Sequence, residues 1–318
     1  MSNAPARPGP FLTITGPTAV GKTALSLSVA EAIDAEIISV DSRQVYQELN
    51  IGTATPSDDV LARVPHHFIN ELSITADADF SAGAFATAAN KRIREILSRG
   101  REPLLVGGST LYLHALQYGL ADIPSVDDAV RARLEERLAD EGAEALYAEL
   151  QAVDPEQAAS ADPTKTHRVI RALEVYHGTG KPLSYYYANQ PEPPFRYVTA
   201  VLHRPRPALY DRINARVDAM LDAGLLDEVQ AVMDRGARLD EPPLSTIGYR
   251  EPIQHLRGEM SREEMIRRVK RNTRRYAKRQ LTWFRRYDDY HTLDAEEATP
   301  AAVLALREED AASTTNPT

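Results

Sequence analysis

Residues 16–23 read Gly16-Pro17-Thr18-Ala19-Val20-Gly21-Lys22-Thr23 and satisfy G-x-x-x-x-G-K-[ST] at every fixed position. The glycines let the backbone wind tightly enough for successive N–H groups to converge on phosphate oxygens. Lys22 adds a mobile positive charge, a following helix adds its N-terminal dipole, and the Thr23 hydroxyl can ligate Mg²⁺. Such a loop reads a diphosphate, not a nucleobase. A kinase or ATP-binding NTPase is the default reading, and any enzyme whose substrate ends in a diphosphate meets the same requirement. Asp41 follows the run EIISV and offers a carboxylate that can act as a Mg²⁺ ligand, a general base or an N-cap. Gly107-Gly108-Ser109 is a second flexible loop behind an apolar run. Arg206, Arg212 and Arg216 lie in RPALYDRINARVDAM, with Arg212 and Arg216 four apart and therefore on one helical face. His66 and His67 suggest a metal pair, but neighbours cannot share a helical face and the chain has no cysteine to join them.

The elements that must position these groups are legible in the periodicity. Apolar, β-branched runs at 11–15, 36–40 and 103–106 predict strands, with helices over 23–33 and 84–98 between them. Strands separated by helices imply βαβ units, hence an α/β fold with a parallel sheet, and put Asp41 and Gly107 at the ligand-binding strand ends. From 121 to 195 the pattern is helical throughout, broken at Gly142, Asp154-Pro155, Asp162-Pro163 and Gly178, which predicts an all-helical insertion. The core, begun in 1–120, is expected to resume over 196–294 with a strand at 196–202 and helices near 207–222, 225–234 and 261–286. Residues 295–318 lose apolar content, end in AASTTNPT and are expected to fray.

Composition bounds the function classes. The 318 residues contain no cysteine, which rules out disulfides, thiolate metal sites and a cysteine nucleophile. There is no signal-peptide pattern at the N-terminus and no apolar run long enough to span a bilayer, so a cytoplasmic protein without membrane attachment is expected. No long apolar heptad seam occurs, and a monomer is expected. The 37 Lys and Arg against 46 Asp and Glu give a net charge of −9, which taken as a mean argues against a nucleic-acid binder. The mean conceals segregation. Residues 262–286 carry eleven basic side chains against Glu263 and Glu264, a local net of +9, leaving −18 on the other 293 residues. Arg267, Arg271, Arg275 and Arg279 recur every four residues as a stripe, and Val269, Tyr276, Trp283 and Phe284 are expected to pack this helix on the body. A basic block on an acidic body asks for a polyanionic partner.

The segments GPTAVGKT, DSRQVYQELNIGTATP, VPHHFIN, VGGSTLYLHAL, HRVIRALEVY and STIGYRE occur in that order between residues 11 and 287. Together they resemble the tRNA dimethylallyltransferase (isopentenyl-diphosphate:tRNA transferase, IPP transferase) family. Val20 stands where the family usually has Ser, removing one loop hydroxyl, and Ser109 stands where it usually has Thr, which keeps the hydroxyl. The resemblance implies a P-loop NTPase-like core with an inserted tRNA-binding helical domain, and a soluble enzyme of tRNA modification. It implies transfer of a dimethylallyl group from dimethylallyl diphosphate to N6 of adenosine 37, in tRNAs reading codons that begin with U. Residues 16–23 would hold the diphosphate, Thr23 would assist through Mg²⁺, and Asp41 would take the proton from N6. Arg216 is then the clamp on the diphosphate by resemblance, although spacing alone leaves Arg206 and Arg212 open. The family segments that touch the tRNA anticodon stem–loop correspond here to Asp41, Ser42, Arg43 and Gln44, to Ser109 and Arg131, to His167, Arg168, Val169, Ile170 and Arg171, and to Ser245, Thr246, Ile247, Gly248, Tyr249 and Arg250. His66 and His67 would be structural or tRNA-facing. The competing readings are a P-loop small-molecule kinase, which leaves the basic block unexplained, a relative that prenylates free adenine nucleotides, and a non-catalytic RNA-binding adaptor.

Overall fold

A computed structural model describes residues 7–75, 80–237, 239 and 243–315. The chain forms two compact units, one from the segments on either side of residues 118–193 and the other from Tyr118–Pro193. The first begins with β1 (Phe11–Thr15), α1 (Lys22–Ala32), β2 (Ala35–Val40), α2 (Asp58–Arg63), β3 (His66–His67), α3 (Ala82–Ser98), β4 (Glu102–Gly107) and α4 (Thr110–Gln117). The second unit contains α5 (Asp128–Glu141), α6 (Ala143–Val153), α7 (Pro155–Ser160), α8 (Thr166–Thr179) and α9 (Leu183–Ala188). The chain then completes the first unit with β5 (Tyr197–His203), α10 (Arg206–Asp222), α11 (Leu225–Asp234), α12 (Arg250–Leu256), α13 (Arg262–Phe284), β6 (Tyr290–Asp294) and α14 (Pro300–Thr315).

Among the described residues the six strands form one sheet in the order β3-β2-β4-β1-β5-β6, and every neighbouring pair is parallel. Every residue of β1 and β2 is buried, as befits strands covered on both faces. The expected α/β fold with a parallel sheet is the fold observed. What matters for chemistry is the register. Gly107 at the end of β4 pairs with Thr15 on one side and Val40 on the other, so three neighbouring strands end at one level. The chain continues from those ends into Gly16, Asp41 and Gly108. Beneath them a buried polar network ties α4 to the sheet: Gln117 Nε2 donates to Thr13 Oγ1 (3.1 Å) and Thr199 Oγ1 (2.9 Å), while Tyr290 donates to Gln117 Oε1 (2.6 Å). The second unit has its own core, in which Leu134, Leu146, Leu150, Leu173 and Val175 are buried.

The tail and the edge strands differ from the expectations, and the short helices α2, α4 and α12 were not predicted. The tail read as frayed instead forms α14, because Val303 and Leu306, three apart on one helical face, bury into the main core. Residues 316–318 of that tail lie outside the described residues. The edge strands β3 and β6 were not anticipated: two residues carry no period, and YHTLD at the sheet margin is only half-buried. Among the described residues no helix is long and apolar enough to cross a membrane.

A side chain at Gly107 would not fit, since a Cβ there would lie 2.1 Å from the carbonyl oxygen of Val40. Gly107→Ala is expected to destabilise the fold by about 1–3 kcal/mol through overpacking. Chemical denaturation measures this, and a midpoint equal to the parent's would contradict the close approach.

Candidate active site

The loop leaving β1 is built from unusual backbone angles. Gly16, Ala19 and Gly21 have φ of 143°, 65° and 118°, and Gly21 caps α1. Because no side chain caps that helix, its first N–H groups remain available to a ligand. The outward-facing carbonyls are held by cations: Lys22 Nζ donates to Gly16 O (2.9 Å) and Pro17 O (3.0 Å), and Arg212 Nε to Ala19 O (2.8 Å). From the far end of the chain, buried Gln280 of α13 accepts from Thr18 N (3.0 Å) and donates to Gly108 O (2.8 Å). Gly108 has no room for a Cβ, which would meet Gln280 Nε2 at 2.6 Å and Gly16 O at 3.1 Å.

This loop lines a cavity of about 320 Å³ whose other charged groups are Asp41, Arg212 and Arg216. Burial and the neighbouring Arg216 lower the Lys22 amine to about 8, although Asp41 pulls the other way. Burial also lowers Arg216 and raises Asp41, the latter against the opposing pull of two backbone amides and Lys22. Asp41 Oδ1 accepts from Arg43 N (2.9 Å) and Gln44 N (3.3 Å) and so closes its own turn, in which no helix follows. Asp41 Oδ2 has no hydrogen-bond partner among the described residues. Three cations and exposed amides around one carboxylate suit a polyanion.

A second cavity, of about 260 Å³, meets the first at Thr18, Asp41, Thr53, Ala54, Arg216 and Tyr276. One wall carries the polar Ser42, Arg43, Ser109 and Thr246; the other is apolar, formed by Ile213, Val217, Met220 and Val269. Ser109 Oγ accepts from Ser42 N (3.0 Å), which locks the two strand-end loops together. Tyr276 borders both cavities, and burial with nearby Asp41 pushes its hydroxyl up to about 12, so it stays a neutral donor. The Glu228 carboxylate organises the remaining wall. It accepts from Asn50 N (2.9 Å), Ile51 N (2.7 Å), Gly52 N (3.1 Å) and the hydroxyl of Tyr249 (2.8 Å).

The residues singled out from sequence divide into groups. Residues 16–23 surround the first cavity, with Gly16 and Pro17 buried beneath it, and Asp41 stands between the cavities. Ser42, Arg43, Ser109, Thr246, Ile247, Gly248 and Tyr249 border the second cavity, whereas Ser245 and Arg250 are exposed outside it. Tyr249 itself is buried against Gly52, where an added Cβ would approach the tyrosine ring to 2.5 Å. The Gln44 amide reaches the first cavity but is tied to Ser39, Thr53 and Ala54. Of the three arginines left open, Arg212 and Arg216 border the first cavity, and Arg206 is exposed at the start of α10, away from it. In the helical unit Arg131, His167, Arg168 and Arg171 are exposed, with Arg131 and Arg171 paired to Glu174 (3.7 and 2.6 Å). Within the strip His167–Arg171, Val169 and Ile170 are core residues of that unit, since the α8 period turns their side chains inward. His66 borders the first cavity, while His67 turns the other way to bond Glu36 (2.6 Å). Among the described residues no three His, Asp or Glu side chains gather as a metal site.

The basic helix α13 buries Met265, Val269, Ala277, Gln280 and Phe284. Arg267 and Arg268 are held by Glu264 (2.5 Å each) and Lys270 by Asp218 (2.6 Å). Arg262, Arg275, Lys278, Arg279, Arg285 and Arg286 are exposed and have no ion pair among the described residues. Sequence reasoning missed Gln280, Glu228 and the cavity-facing position of Tyr276. No local pattern marks any of them.

Fold and site define a parallel-sheet α/β protein whose glycine-containing loop 16–23 faces a half-buried carboxylate. The IPP transferase family model matches residues 44–287. A tRNA dimethylallyltransferase of Salinibacter ruber is 73% identical over 289 residues, covering 91% of this chain and 89% of that protein. The tRNA dimethylallyltransferase 1 of Trichlorobacter lovleyi is 48% identical over 276 residues, with coverage of 86% and 90%. A full-length tRNA isopentenylpyrophosphate transferase of Bacillus halodurans superposes with a TM-score of 0.68 at 39% identity, covering 95% of each chain. A eukaryotic dimethylallyltransferase caught acting on tRNA gives a TM-score of 0.78 at 28% identity, covering 96% of this chain and 80% of that one. The chain belongs to the IPP transferase family.

The lowered Lys22 amine yields a signed pH dependence. It is charged below about 8 and sheds its proton above, so affinity for an alkyl diphosphate is expected to fall as pH rises through that value, by up to ~tenfold per pH unit. Calorimetric titration reads this. Lys22→Met is expected to bind weakly and without the alkaline decline, and a parent affinity flat across that range would refute the assignment.

Proposed function

We propose that this protein transfers a dimethylallyl group from dimethylallyl diphosphate to N6 of adenosine 37, in tRNAs that read codons beginning with U. The observation that carries the reading is Asp41 standing where a cation-lined cavity meets one with a polar and an apolar wall. A donor diphosphate among the loop amides, Lys22, Arg212 and Arg216 would leave its five-carbon tail for the apolar wall. An adenine entering along the polar wall would bring its exocyclic nitrogen to the same junction. N6 attacks C1 of the donor, the C1–O bond breaks, diphosphate leaves, and Asp41 accepts the N6 proton. An exocyclic amine is a poor nucleophile, so base assistance and a stabilised leaving group are both needed.

Residues of the chain fit a divalent cation. Thr23 brings a hydroxyl to the cavity that would hold the diphosphate, a hard oxygen donor of the kind Mg²⁺ takes together with substrate phosphates. When bound, the ion would neutralise charge on the leaving diphosphate. A base must leave its stack to reach Asp41, and RNA is readable where its bases are unpaired, which points to the anticodon loop. The exposed cations of α13, with Arg131, His167, Arg168 and Arg171, supply backbone contacts to the tRNA. The enzyme is read as a cytoplasmic monomer, its sequence having no long apolar heptad seam.

Purified protein, dimethylallyl diphosphate, Mg²⁺ and unmodified tRNA are expected to yield N6-dimethylallyladenosine, read by nucleoside mass spectrometry. Transfer of phosphate from ATP with no prenyl transfer would instead identify a kinase. Asp41→Ala is expected to lower turnover by about 10²–10⁴-fold, the range of general-base assistance. Filter binding should find its tRNA affinity within a few-fold of the parent. Unchanged turnover in that variant would remove Asp41 from the mechanism.

A further inference from the structure

A third cavity, an open groove of about 550 Å³ with exposed Ala219 and Ala223 on its wall, touches the other two at Ala54 and Arg216 and the first also at Pro56. Met220 is shared only by the second and third cavities. Past Met220 the lining includes Ile51, Leu61, Ala219 and Ala223. Of the three groups standing between the second and third cavities, Arg216 is charged and Ala54 is too small to close a passage. Met220 is therefore the one bulky apolar group at that partition.

Its place on α10 gives it a direction as well as a size. Arg212, Arg216 and Met220 follow at intervals of four residues, so they line one helical face at steps of ~6 Å. That face runs from the cations of the first cavity to the apolar end of the second. A prenyl donor held by its diphosphate near Arg212 and Arg216 would point its tail along the same face toward Met220.

We propose that Met220 is the stop that limits the donor to one isoprene unit, and that the third cavity is a ready-made channel for a second unit once Met220 is shortened. The inference rests on the prenyl-transfer reading given above. The chemistry is unchanged for a ten-carbon donor: C1–O of geranyl diphosphate breaks, N6–C1 forms, diphosphate leaves and the N6 proton passes to Asp41. Only the room for the tail differs.

The test compares kcat/KM for dimethylallyl and geranyl diphosphates with the same unmodified tRNA in three proteins. The parent is expected to reject geranyl diphosphate by roughly 10²-fold or more, as a pocket closed to added carbons does. Met220→Ala is expected to raise the geranyl-to-dimethylallyl ratio at least ~tenfold, since two carbons and the sulfur are cleared from the partition. Adding Ala223→Trp to that variant refills the third cavity and is expected to restore the parent's ratio. Should Met220→Ala fail to fold by circular dichroism, Met220→Val clears the far end of the same side chain and reads the same ratio. A parent that accepts both donors alike overturns the proposal. So does a folded Met220 variant that transfers dimethylallyl with an unchanged ratio. If the parent transfers neither donor to tRNA, the prenyl-transfer reading itself falls, and the two failures are told apart by the dimethylallyl control.

Discussion

Strands β2, β4 and β1 end side by side in register, and the three chain segments that leave them must pass through one gap. Thr15, Val40 and Gly107 share a level, so Gly16, Asp41 and Gly108 emerge together. That crowding is possible only because Gly107 and Gly108 present no Cβ, the first against the Val40 carbonyl and the second against Gln280 and Gly16. In return the phosphate loop is braced from all sides. Lys22 and Arg212 hold its outward carbonyls, while Gln280 bonds both Thr18 and Gly108. A loop with residues at positive φ is conformationally expensive, and it persists because its surroundings over-determine it.

The same crowding sets the electrostatics. Lys22, Arg212, Arg216 and Asp41 border one partly desolvated cavity, so each cation raises the cost of its neighbour's charge. The lowered Lys22 and Arg216 and the raised Asp41 express one condition: burial opposes ionisation of all three groups. A multiply charged anion entering there would relieve repulsion among the cations more than a singly charged one. On α13, acidic neighbours in direct contact, Glu264 on the helix itself and Asp218 on α10, pair off Arg267, Arg268 and Lys270 and leave a smaller set of exposed cations.

What could be read from sequence was whatever depends on neighbours along the chain. The phosphate loop, the strand-end carboxylate, the central strands and the long helices all have local signatures: glycine spacing, β-branched runs and helical period. Gln280 has none, because its bond to Thr18 joins residues 262 positions apart. Glu228 likewise serves amides some 177 positions away. The α14 tail misled for the opposite reason. Its polar composition is local, but Val303 and Leu306 suffice to dock it once α1 and the sheet offer a surface. Val169 and Ile170 show the limit of reasoning by motif. A matched segment can carry exposed His167, Arg168 and Arg171 while its other two residues face the core.

Glu228 illustrates how a charge remote in sequence can fix a site without touching a reactant. Its two oxygens receive three backbone N–H groups from residues 50–52 and the Tyr249 hydroxyl. Four donors need an acceptor that offers no hydrogen of its own, which an ionised carboxylate is and a neutral glutamine amide is not. The tyrosine hydroxyl is held protonated by burial and by the carboxylate beside it, so the bond cannot reverse. This pins Gly52 against the Tyr249 ring, and with it the turn of residues 50–54 that borders all three cavities. The partition that Met220 completes from α10 is thus rigid on its opposite side. A side chain can act as a stop only when the wall it presses toward does not yield, and here that wall is built from backbone amides converging on one carboxylate.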